Sequence, residues 1–163
     1  MENNNENKSL LTHRNRFVES LTSRVVGRLN EKYVPSSFDE LSDENKDKLL
    51  FVDRYYQLNI ISREMAIQIM SSIIECEGWI NRFREYNEDL LIDKLKEISE
   101  LLWLKRKNLF IDLEMGIITK EIFSKINSEI SRFEKNNYVN NLRMAVIMDN
   151  PQNIEVIYNK SSK

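Results

Sequence analysis

Residues 58–73 read LNIISREMAIQIMSSI, and residues 115–130 read MGIITKEIFSKINSEI. At an offset of 57 positions the two stretches share Ile60/Ile117, Ile61/Ile118, Glu64/Glu121, Ile69/Ile126, Ser71/Ser128 and Ile73/Ile130. Each opens with a residue suited to left-handed backbone, Asn59 or Gly116, and continues with an Ile pair able to staple a turn. Ser62 and Thr119 then stand where a side-chain oxygen would accept an orphan amide at the start of a new helix, with Glu64 and Glu121 placed favourably in its first turn. Beyond them Met65, Ile69, Ile73 and Cys76 fall on one helical face, joined by Ile67, Met70 and Ile74. Ile122, Phe123, Ile126, Ile130 and Phe133 supply the equivalent stripe. Each stretch therefore predicts the end of one helix, a tight turn and the start of the next. Recurrent turn chemistry, an ancient duplication and a pair of equivalent binding surfaces all account for the echo.

Working outward, Ser42 is the expected cap of a helix running to Leu58, with Asp43 and Glu44 at its positive end. Ahead of it, Leu10, Phe17, Leu21, Val25 and Leu29 recur near helical spacing and predict a first helix over 10–33. Between the echoed stretches, residues 88–115 form the longest uninterrupted candidate, about 40 Å long at the helical rise, and are the expected central helix. There Leu91, Leu95, Ile98, Leu102 and Leu109 mark a seam that fits a bundle or short coiled coil, and Leu101, Leu104, Phe110 and Leu113 broaden its apolar coverage. Gly78 and the polar run after it predict a bend or break between 78 and 88. After Phe133, EKNN suggests another break, with a short helix resuming through Leu142, Val146 and Ile147 and ending at Asp149–Pro151.

The 163 residues are 41% hydrophobic and 31% charged, enough apolar material for one core and too much for a wholly disordered chain. Three Gly and two Pro argue against a turn-rich all-β protein. Asn occurs 19 times, Ile 18 times and Ala only twice, so helix stability must come from packing rather than intrinsic propensity. The expectation is an all-α, irregular bundle of about five or six helices with two similar helical-hairpin turns. A flexible polar arm (1–8) precedes a single domain (9–149). The polar tail (150–163) can form a short strand through Ile154, Val156 and Tyr158 or stay disordered.

A net charge of −2 supplies no global attraction to nucleic acid. Cys76 is alone, which excludes an intrachain disulfide and suits a reducing compartment. The polar start and the absence of a long apolar run point to a cytoplasmic protein without transmembrane association. His13 lacks ligand-like neighbours, and no phosphate-binding Gly loop, HExxH, EF-hand or GxSxG pattern occurs. No catalytic residue, metal site or cofactor is expected. Glu75, Glu77, Asp112 and Glu114 read as solubilising groups.

What remains is recognition. Trp79, Phe83, Leu101, Trp103 and Leu104 are the candidate interface for another protein or a second copy of this chain, in an oligomeric, adaptor or regulatory role. Arg14, Arg16, Arg24, Arg28 and Lys32, with Lys105, Arg106 and Lys107, form the candidate basic face of an alternative, nucleic-acid-associated regulator. Neighbouring Glu19, Glu31, Glu97 and Glu100 dilute both basic groups.

Overall fold

A computed structural model describes residues 9–26 and 29–147. They form five α-helices: α1 (Arg14–Val25), α2 (Asp43–Gln57), α3 (Arg63–Glu85), α4 (Asp89–Glu114) and α5 (Lys120–Ile147), with short 3₁₀ turns at Glu31–Tyr33 and Phe38–Glu40. No strand occurs among the described residues. The expected N-terminal arm, the chain end from 148 onward, Gly27 and Arg28 lie outside them.

Both echoed stretches fold as their chemistry dictates. Asn59 and Gly116 adopt left-handed backbone at φ 62° and 76°. In the first turn Asn59 N–H donates to Tyr56 C=O and Ile60 N–H to Tyr55 C=O, at 2.9 and 3.0 Å. In the second, Gly116 N–H donates to Leu113 C=O and Ile117 N–H to Asp112 C=O, at 3.1 and 2.8 Å. This paired bonding ends a helix by satisfying its last carbonyls. Ser62 Oγ then accepts from Met65 N–H, and Thr119 Oγ1 from Ile122 N–H. Removing either hydroxyl by Ser62→Ala or Thr119→Ala should cost about 1 kcal/mol, the value of one helix cap, measured by urea unfolding.

A third turn of the same kind separates α3 from α4. Asn87 has φ 57°, and Glu88 N–H donates to Phe83 C=O at 2.9 Å. The expected break is therefore real but falls at 86–88, and α3 runs straight through Gly78. That glycine serves close approach instead. A Cβ on it would stand 2.8 Å from a Leu29 methyl, because the chain after α1 folds back and buries Leu29, Tyr33 and Val34 against α3. The same fold-back shortens the first helix, expected to reach Tyr33, to Arg14–Val25. Thr22 Oγ1, donating towards both Val18 C=O and Pro35 C=O, ties the returning segment to α1.

The central helix is α3, not the longer α4. It packs against α1, α2, α4 and α5, and buries residues around much of its circumference, from Ala66 to Phe83. Buried side chains from every helix, including Val18, Leu49, Ile69, Leu91 and Phe123, join one hydrophobic cluster. Within it Tyr55, Phe110 and Phe123, joined from its edge by Phe51 and Trp103, form an aromatic chain between α2, α4 and α5, with successive ring centroids 4.8–5.5 Å apart. The last helix also differs from expectation: α5 does not break at EKNN. Glu134 and Tyr138 are buried contacts of this helix, so the polar run between them remains helical.

Candidate functional site

Helix α4 is apolar around most of its circumference, so its sequence does not reveal which face turns inward. The structure buries Leu91, Ile92, Leu95, Arg106, Leu109 and Phe110. On the opposite side, Leu101, Leu104, Ile111 and Met115 are 63%, 47%, 40% and 68% exposed. They recur with Asn108 at alternating steps of three and four, which places all five along one outward row about 21 Å long. Ile117 and Ile122 extend the exposed apolar surface around the α4–α5 turn.

Of the expected interface residues, Leu101 and Leu104 thus lie on this face. Trp103 is half-buried one step round the helix, edge-on to Phe51 at 5.5 Å, with the Lys48 ammonium 5.7 Å from its centroid. Trp79 and Phe83 belong elsewhere. Both are 0% exposed, and Trp79 Nε1 donates to Glu75 Oε2 at 3.2 Å. They are core residues because the face of α3 that carries them is enclosed by the surrounding helices and the 29–34 segment. Ile111 and Met115 are not among the residues expected at an interface, although their spacing from Leu101 and Leu104 is legible in the sequence.

The basic residues do not gather into one surface. Arg14, Arg16 and Arg24 are exposed on α1, but Arg14 and Arg16 point about 200° apart at helical spacing, and the Arg14 guanidinium lies 4.8 Å over the Phe38 ring. Lys32, in a 3₁₀ turn, pairs with Glu85 at 3.1 Å, and this carboxylate raises its pKa. Lys105 is exposed, and Lys107 sits 5.8 Å from the Phe51 centroid.

Arg106, between them, is only 2% exposed and points into the α4–α5 interface. Its Nε donates to Asn127 Oδ1, one terminal nitrogen to Glu134 Oε2 and the other to Ser131 Oγ, at 2.9, 2.9 and 3.0 Å. A guanidinium has the fork geometry to hold three partners one helix away, so it is a buried clasp rather than a phosphate ligand. Arg28 lies outside the described residues.

Of the acidic residues expected at the surface, Glu75 and Glu77 are buried, Asp112 is half-buried and Glu114 is exposed. Glu77 is buried and accepts from Ser42 N–H and Asn45 Nδ2, anchoring the start of α2 to α3. Glu75 is buried with Trp79. Asp53 takes Ser9 Oγ and Leu10 N–H, fixing the chain before α1. Tyr55 Oη–H donates to Glu114 Oε1 at 2.7 Å; burial and then this bond push the pKa of the Tyr55 hydroxyl up to about 12.

Two depressions flank this core. A polar cleft of about 380 Å³ between α2, α3 and α4 is lined by Lys48, Arg84 and Lys96 together with Glu44, Glu77 and Glu100, and by Cys76. Burial pushes the Cys76 thiol up, away from the reactive thiolate form, although Ser99 and Tyr138 lie within hydrogen-bonding reach. A second groove of about 300 Å³ separates the two echoed turns, between Ile60, Met65, Leu113 and Phe123. His13 is exposed at the start of α1, and its side chain makes no capping bond. Among the described residues no group of three or more His, Cys, Asp or Glu is arranged to hold a metal, and no helix is long and apolar enough to cross a membrane.

The chain is thus an all-helical scaffold, without a catalytic motif among its described residues, that presents one outward apolar row. No protein-family model, curated protein or solved structure matches it.

Proposed function

We propose that this chain is a noncatalytic interaction module that docks a helix of a protein partner along the outward face of α4. The observation that carries this reading is the row Leu101, Leu104, Ile111 and Met115, diametrically opposite the face that α4 buries in its own bundle. A helix with two apolar faces has more apolar surface than its own core uses, and covering the second face is favourable. Because α4 is already held helical by α3 and α5, a partner meets preformed anchors and little ordering cost remains.

The nucleic-acid alternative has less support, since Arg106 is committed to Glu134 and Lys32 to Glu85. The test is the mass of the intact assembly after gentle purification, compared between the natural chain and a Leu101→Glu, Ile111→Glu double variant. Both positions are exposed, so the variant should keep its helical content and melting behaviour while losing a bound protein. A natural chain with no protein bound, or a variant that retains its partner, refutes the reading.

A further inference from the structure

We infer that the helix covering this face is α4 of a second copy, lying parallel and in register. The inference rests on the docking reading above and adds to it a partner and an orientation. The outward row divides as a coiled-coil seam: Leu101, Asn108 and Met115 take the first core position of successive heptads, and Leu104 and Ile111 the second. The seam starts after the polar positions Lys94 and Glu97 and ends at the Gly116 turn, so it contains two heptads. Two heptads are too few to hold isolated helices together, but here the bundle has already formed the helix.

The charges beside the seam select the partner. On one side stand Glu100 and Lys107, and on the other Lys105 and Asp112. In a parallel pair, each residue of the first side meets the residue five places further on in the other copy. Glu100 then faces Lys105 and Lys107 faces Asp112, opposite in sign at both levels and repeated by symmetry. None of Glu100, Lys105 and Asp112 has an ion-pair partner among the described residues that would compete. An antiparallel pair centred on Lys107 would instead set Glu100 against Glu114 and Lys107 against its own counterpart. Asn108 adds a second constraint. Facing Asn108 of the other copy, it exchanges a side-chain hydrogen bond, whereas a register shifted by one heptad buries its amide against Leu101 or Met115.

The test uses full-length protein in three arms. Sedimentation equilibrium should give twice the mass of one chain, reduced to one chain by Leu101→Glu with Ile111→Glu. Leu101→Cys and Met115→Cys should each oxidise alone to a disulfide-linked dimer, Cys76 being buried. Glu100→Lys should weaken association about tenfold, and Lys105→Glu in the same chain should restore it to within about twofold, because the reversed pair is equally complementary.

A monomer at every concentration, a trimer or tetramer, or a charge-reversed pair as weak as the single variant overturns the inference. So does an antiparallel result, in which neither thiol variant links alone but their mixture does. These outcomes leave the docking reading standing if a different protein is bound and is lost in the Leu101→Glu, Ile111→Glu variant. A dimer unaffected by that variant defeats both.

Discussion

Arg106→Ala should lower the unfolding free energy by about 3–5 kcal/mol, a large share of the stability of a domain this size. The side chain is buried with three partners on α5, and Glu134 is buried with it. Truncation leaves the carboxylate without its cation and strands Asn127 and Ser131, and a cavity cannot solvate them as water would. Glu134 Oε1 already has no hydrogen-bond partner among the described residues, so the network has no spare donor to recruit.

Two companion variants separate lost charge pairing from lost volume. Arg106→Lys keeps the charge but not the fork, and should recover only part of the loss. Arg106→Met combined with Glu134→Leu removes both ions and should recover most of it, because the pair's desolvation cost disappears along with its attraction. Urea titration, with the slope checked for a constant two-state transition, reads all three. If Arg106→Ala were as stable as the natural chain, the clasp would contribute nothing and the side chain would be free for an external anion.

Trp79→Ala should also cost about 3–5 kcal/mol, from lost apolar burial plus the cavity left behind. The ring is fully enclosed, tilted against Phe83 with centroids 6.0 Å apart, and tied to Glu75 through its indole N–H. Leu101→Ala, on the outward face of α4, should change the stability of the monomer by no more than about 0.5 kcal/mol. Thermal or urea unfolding of the two variants therefore reverses the order that residue type alone suggests, in which Trp is the stronger interface anchor. A Trp79→Ala chain of unchanged stability would place the ring at a surface and restore its candidacy as a contact.

The turns were the most legible part of this molecule. Asn59, Gly116, Ser62 and Thr119 act on backbone groups within a few residues of themselves, so their effect survives any arrangement of the rest of the chain. Asn87 carries the same signal in weaker form, because a Glu rather than an Ile follows it and no hydroxyl caps α4. Gly78 misleads for the converse reason. Its local property is flexibility, but its use is a close approach by Leu29 from a segment about 50 residues away, which no local pattern encodes.

Periodicity likewise states which residues share a face and not which face is inside. On α4 both answers are apolar, and only the positions of α3 and α5 turn Leu91, Leu95 and Leu109 inward and leave Leu101, Leu104, Ile111 and Met115 out. In the sequence Arg106 is one of three consecutive cations, yet successive helical residues point 100° apart, so its neighbours face elsewhere. The sequence alone determined the helical class, the two echoed turns and the absence of a recognisable catalytic motif, since each follows from local spacing or residue type. The hub role of α3, the burial of Trp79 and Arg106, and the exposure of the α4 row were decided only in three dimensions, because each depends on which distant helix occupies the space beside it.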